Sequence, residues 1–194
     1  MGKQKYRKEI EQLFRRSPVV SYSSISRIVG GKRGSKFYAK QLVHDLTSKG
    51  AIKKLAKGYY TISDDPSLIV YCFKPAYLGL QDAISFHNLW EQETVPIVIT
   101  SQKIRPGIRK VLGTNVLIRR IDKRYMFGFG YNKAGDLYIP YSDAEKTFID
   151  MIYFRQHIDK NLIKNVKSKI DKNRLAKYLK SYNKEIRKRV EANL

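Results

Sequence analysis

Apolar positions recur with helical spacing from the start of the chain. Tyr6, Ile10, Leu13 and Phe14 fall at i, i+4, i+7 and i+8, one stripe of a helix that Pro18 brings to an end. Ser23 or Ser24 offers a cap for a short second helix with Ile25, Ile28 and Val29 facing inward, and Gly30-Gly31 stops it. After Lys32-Arg33-Gly34, Ser35 suits the cap of a third helix that runs to about Lys49 and ends at Gly50. Ala39, Leu42, Val43 and Leu46 form its inner stripe, which leaves Lys36, Phe37, Lys40, Gln41 and His44 on the opposite face. Between Ala51 and Ile62, two β-prone runs flank a turn at Gly58 and predict a hairpin. Three helices followed by a basic hairpin is the order of a winged helix-turn-helix, with the hairpin as the wing.

The pattern changes after Ser63-Asp64-Asp65-Pro66, a polar turn cluster that reads as a domain boundary. Ile69–Phe73 predicts a strand, Leu78–Trp90 a helix, and Val95–Thr100 a strand whose Pro96 sits at an edge-compatible start. Asn115–Ile121, Tyr125–Tyr131 and the shorter Leu137–Pro140 read as further strands, the last two joined by a turn over Asn132–Asp136. Ser142 with Glu145 makes a capping box for a helix from Asp143 to about Arg155. Two more helical stripes follow. Leu162, Ile163, Val166 and Ile170 form one; Leu175, Tyr178, Leu179, Tyr182, Ile186 and Val190 form the other, with Asp171 as the cap between them. The expected fold is α/β, of the α+β kind. A winged helix-turn-helix covers 1–66, and a mixed α/β domain covers 67–194 and closes in a basic helical tail over about 158–194.

Charge gives this architecture a partner. Thirty-nine Lys and Arg face 17 Asp and Glu, a formal net charge of +22. Residues 1–66 carry +10, residues 67–150 only +3, and residues 151–194 +9. So large an excess repels itself, and phosphate backbones are its commonest counterpart. A membrane fits poorly, because no run of about 18 apolar residues exists and the opening residues lack the apolar stretch of a signal peptide. A cytoplasmic protein with double-stranded DNA as its partner is the expectation. Cys72, the single cysteine, lies in an apolar run and reads as a small core residue.

A helix in the major groove needs base readers near its N-terminus and phosphate binders beside them. Gln41 would pair with adenine, Lys36 and Lys40 with guanine, and Phe37 would touch a thymine methyl, with His44 on the same face. Lys32, Arg33 and Ser35 at the helix start suit phosphate contacts, and Lys53, Lys54, Lys57 and Tyr59 would carry the wing's contacts. Catalysis finds little support. His44, His87 and His157 lie in separate segments, and neither a GxSxG elbow nor a Walker A loop is present. Asp143 and Glu145 read as residues that favour the start of a helix, and His87 as a satisfied, half-buried histidine. Neither an enzyme nor a metal or cofactor site is expected. The alternatives are non-specific RNA or DNA binding, or an enzyme acting on nucleic acid through Asp143, Glu145 or His87.

Four stretches together resemble the AbiEi-type antitoxin and transcriptional regulator family. They are Ala56-Lys57-Gly58-Tyr59-Tyr60 on the wing, the segment from Ala76-Tyr77-Leu78-Gly79 to Phe86-His87-Asn88-Leu89-Trp90, Val95-Pro96-Ile97-Val98-Ile99-Thr100, and the run from Tyr138 to Asp150. The resemblance covers roughly residues 5–157. It implies an N-terminal DNA-binding domain that represses its own operon, on inverted repeats in typical members. It also implies a C-terminal domain that counters a nucleotidyltransferase-like toxin without necessarily touching it.

Overall fold

In the computed structural model, residues 6–29, 35–90, 92, 94–156 and 160–194 are described, without the side chains of 35, 36, 160 and 161. The chain divides into two compact units. The first is Met1–Cys72 with Val111–Thr114, and the second is Phe73–Lys110 with Asn115–Leu194.

In the first unit, α1 (Arg7–Arg16) buries Ile10 and Phe14, as the spacing predicts. A two-residue strand, β1 (Val20–Ser21), precedes α2 (Tyr22–Val29). The cap of α2 is Ser21, whose Oγ accepts from the Ser24 amide at 3.1 Å, rather than Ser23 or Ser24. Ser21 takes the role because the helix starts at Tyr22, two or three residues earlier than those caps imply. Gly30-Gly31 lie outside the described residues. α3 (Ser35–Ser48) buries Ala39 and Val43 and ends where Gly50 takes a φ of +69°, a left-handed position that favours glycine. β2 (Lys53–Ala56) and β3 (Tyr59–Thr61) form the expected hairpin, with Gly58 at φ +78°. β1 pairs antiparallel with β3 and completes a three-stranded sheet of order β1-β3-β2. Two residues are too few for a periodicity, so β1 left no trace in the hydrophobic pattern.

Pro66–Phe73 is a 3-10 helix, not a strand. Its start is built by side chains: Ser63 Oγ accepts from the Asp65 amide at 3.1 Å and Asp65 Oδ1 from the Ser67 amide at 2.8 Å. With Pro66 fixing the first backbone angle, those turns launch a helix. An apolar run of this length does not by itself distinguish a buried helix from a buried strand.

The second unit is built on a six-stranded mixed sheet of order β6-β7-β5-β4-β9-β8. Its strands are β4 (Ala76–Leu78), β5 (Ile97–Thr100), β6 (Gly107–Val111), β7 (Thr114–Arg120), β8 (Phe129–Ala134) and β9 (Leu137–Ser142). β4 runs antiparallel to β5 and parallel to β9, β5 runs parallel to β7, and β8 and β9 form a hairpin. The expected Leu78–Trp90 helix is only α4 (Gln81–Phe86), because Leu78 belongs to β4 and Leu80 takes a φ of +57° that breaks a helix. β5 is an inner strand. Pro96 stands just before it, and its carbonyl accepts from the Leu117 amide at 3.0 Å, a bond that needs no proline N–H. The expected Tyr125–Tyr131 strand is split between a 3-10 turn at Lys123–Tyr125 and β8.

α5 (Ala144–Tyr153) is the centre of this unit, buried without interruption from Glu145 to Ile152. Its N-cap is Asp143, whose Oδ1 accepts from the Lys146 amide at 2.8 Å. Ser142 instead ends β9, with its hydroxyl 2.7 Å from that of Thr147. α6 (Lys160–Lys169), α7 (Lys172–Leu179) and α8 (Lys184–Glu191) pack around α5. Leu162, Val166, Leu175, Leu179, Ile186 and Val190 join one core with Phe148, Ile149 and Ile152. The basic tail is therefore part of the domain, docked by its apolar face. Polar bonds secure it at both ends of α5. Glu145 Oε1 accepts from the Asp171 amide at 2.6 Å, Tyr178 Oη donates to Asp143 Oδ2 at 2.7 Å, and Arg189 donates to the Ile152 carbonyl at 2.7 Å.

Inside this core lies a fully buried ion pair between Lys146 and Asp150, one turn apart on α5. Tyr77 Oη donates to Asp150 Oδ2 at 2.6 Å, and Lys146 Nζ donates to Tyr182 Oη at 3.0 Å. The ammonium also faces the rings of Tyr77, Phe127 and Tyr182 at 5.4 to 5.8 Å. Burial pulls the Lys146 ammonium below its ordinary range and pushes the Asp150 carboxyl above its own, in each case against the attraction of its partner.

Candidate nucleic-acid interface

α3 presents the face that the sequence assigns to nucleic acid. Phe37 is 77% exposed, which for so large an apolar side chain stands out against the buried Ala39 and Val43 behind it. Lys40, Gln41 and His44 are exposed beside it. Lys32 and Arg33 lie outside the described residues; Ser35 and Lys36 lie on α3, but their side chains are outside the description.

Two of the expected readers are already engaged. Gln41 Nε2 donates to Asp45 Oδ1 at 2.8 Å, and His44 Nδ1 stands 3.7 Å from the same carboxylate. A bidentate pairing with adenine needs Oε1 and one of the two Nε2 hydrogens, so the Asp45 bond takes the other hydrogen and fixes how the Gln41 amide is turned. Asp45 also places a negative charge on a helix otherwise suited to phosphates.

On the hairpin, Lys54 and Lys57 are exposed and Tyr59 is half-exposed. Lys53 is different. Half-buried, it forms an ion pair with Asp64 that ties β2 to the chain beyond β3. The tip bonds back to the helices, since the Gly58 carbonyl accepts from the Tyr22 amide at 2.7 Å. The exposed face of α3 and the cations of the hairpin thus belong to one compact unit.

A second basic surface was visible in the charge distribution. Lys164, Lys172, Lys177, Lys180, Lys184 and Lys188 are all exposed. No carboxylate among the described residues pairs with them. Arg187 is not free in the same way, because it donates to the carbonyls of Tyr182 and Lys180, both at 2.7 Å.

The three side chains that the sequence offers for catalysis each have a structural partner. Asp143 caps α5, Glu145 accepts from the Asp171 amide, and His87 Nε2 lies 2.7 Å from the Ser142 carbonyl. A carbonyl only accepts, so that nitrogen carries the proton. Among the described residues, no group of three or more His, Cys, Asp or Glu could hold a metal ion. Among them too, no helix is long and apolar enough to cross a membrane.

Sequence reasoning missed an amphipathic groove in the first unit and the buried Lys146–Asp150 pair. A lysine and an aspartate four residues apart read as an ordinary surface pair, and the groove is formed by elements far apart in sequence.

No protein-family model matches the chain, and no curated relative does. The fold is similar to that in the crystal structure of the RV2827C protein from Mycobacterium tuberculosis, with a TM-score of 0.62 at 13% sequence identity. The match covers 97% of this chain and 75% of that one, and it establishes a shared fold.

Proposed function

We propose that the chain is a sequence-specific, non-enzymatic DNA-binding transcriptional regulator, with a winged helix-turn-helix as its first unit. The observation that carries this reading is the exposed Phe37 beside Lys40 and Gln41 on α3. The element order α1-β1-α2-α3-β2-β3, with β1 added to the hairpin, supports it as the arrangement expected of that motif. In this reading α3 enters the major groove, the β2–β3 hairpin is the wing, and the protein acts by occluding a promoter. The resemblance to AbiEi-type antitoxins supplies the setting: repression of its own operon in the cytoplasm, and a nucleotidyltransferase-like toxin as functional partner.

The second reading is sequence-independent nucleic-acid binding, favoured by the unpaired lysines of α6, α7 and α8. One titration separates the two. Mobility shifts on DNA from immediately upstream of the gene and on scrambled DNA, at about 50 and 200 mM salt, span a range over which phosphate-only binding falls by orders of magnitude. A preference for the upstream DNA that survives the higher salt and is lost in Lys40→Ala with Gln41→Ala supports the regulator. Equal binding to both DNAs that collapses with salt refutes it.

A further inference from the structure

The first unit holds a groove of about 610 Å³ between α1, α3 and the residues that flank the β2–β3 hairpin, Ala51, Ile52 and Ile62. Its apolar lining is Ile10, Phe14, Leu42, Leu46, Ile52 and the half-exposed Ile62. The volume lies within the roughly 300–1,000 Å³ typical of small-molecule sites. Polar groups ring this lining, and most are already paired. Arg7 Nε donates to Glu11 Oε1 at 2.9 Å, and Gln41 donates to Asp45. Two cations remain. Arg15 from the last turn of α1 and Lys49 from the end of α3 both line the groove, and no carboxylate among the described residues pairs with either.

The geometry points to a binding site for a small apolar carboxylic acid, its hydrocarbon body on the aliphatic floor and its carboxylate at Arg15 and Lys49. A neutral apolar molecule would gain only the floor; an anion gains two charge-assisted contacts as well. The site is wired to the proposed reading helix. Gln41 and Asp45, which line the groove, are also the pair whose hydrogen bond sets how the Gln41 amide is turned for a base. An anion lodged beside α3 opposes the approach of phosphates, so an occupied groove weakens DNA binding. This coupling rests on the regulator reading above, whereas the site itself does not.

The test uses the full chain and decanoate as probe, with decanol as the neutral comparison, in isothermal titration. Decanoate binds and decanol binds more weakly. Arg15→Ala with Lys49→Ala weakens decanoate by at least about tenfold, the scale of one lost charged hydrogen bond where two are removed, and leaves decanol unchanged. Ala51→Phe, at an exposed position on the groove where the fold accommodates a larger side chain, blocks both. No decanoate binding, equal binding of the two probes, or binding indifferent to Ala51→Phe overturns the site. Saturating decanoate then raises the midpoint for upstream DNA by about fivefold or more in the wild type and not in Ala51→Phe. Decanoate binding without that shift overturns the coupling. Decanoate binding by a chain that binds no DNA at all removes the regulator reading, and the coupling with it, and leaves the groove standing.

Discussion

Replacing Lys146 by methionine tests the centre of the second unit. The substitution keeps the length of the side chain and removes the ammonium, leaving Asp150 fully buried with the Tyr77 hydroxyl still donating to it. Breaking a buried pair from one side costs about 3–5 kcal/mol near neutral pH, because the surviving charge has no compensation. Burial already holds the Asp150 carboxyl above its ordinary range with Lys146 present, and loss of the ammonium raises it further. A carboxyl with a raised folded-state pKa stabilises the fold below its unfolded value, and that contribution is lost as pH rises through the folded value. The deficit of Lys146→Met therefore shrinks as pH falls from the variant's Asp150 value toward the lower wild-type one, by about 1.4 kcal/mol for each pH unit between the two. Adding Asp150→Leu removes the stranded charge, and the remaining loss falls to about 1–3 kcal/mol, the scale of leaving the Tyr77 hydroxyl without an acceptor. The assay is urea unfolding followed by the fluorescence of Trp90, the only tryptophan, which packs against this same core. An unfolding midpoint for Lys146→Met equal to wild type at pH 7, or a deficit that grows as pH falls, refutes the argument.

Two further outcomes follow from the coordinates. Gly128→Ala destabilises the second unit by at least about 2 kcal/mol, since its backbone has a φ of +69° and the added Cβ would meet Lys146 Cβ at 2.8 Å and Tyr178 Cε2 at 2.9 Å; equal urea midpoints would contradict this. Burial pushes the Cys72 thiol up to about 12, so at pH 8 the folded chain leaves Ellman's reagent uncoloured and releases the thiol only on unfolding, and rapid reaction of the native protein would show the thiol to be open.

The helices of the first unit were legible because each buries one stripe and stops at a residue with a local reason to stop. Ile10 and Phe14 announce α1, and Gly50 ends α3 through its own backbone freedom. The hairpin was legible for the same reason, with Gly58 at its turn. At Leu68–Val70 in the first unit and at Leu78–Leu80 in the second, the reading failed where burial on every side erases periodicity. The Leu68–Val70 run is apolar enough for a strand, and only the turns built by Ser63 and Asp65 decide for a helix. Leu80 sits at helical spacing from Ala83 and Ile84, yet it is a left-handed residue just after strand β4, which holds Leu78. β6 alternates Ile108 and Lys110, both exposed, with half-buried Arg109, so no apolar stripe marks it. At the candidate interface, the exposure of Phe37 and Lys40 followed from one helical period. The bonds that occupy Gln41 and Lys53 did not, because they depend on rotamers and on chain ends meeting in space.

The arginines and lysines of the C-terminal helices have separate employments. Arg187 and Arg189 spend their guanidinium hydrogens on the last carbonyls of neighbouring turns, whereas Lys172, Lys177, Lys180, Lys184 and Lys188 reach into solvent. Acetylation acts on lysine and erases its charge, but leaves arginine untouched. The positive potential of this surface can therefore be dialled down by acylation, one side chain at a time, while the bolts that hold the helices in place stay fastened.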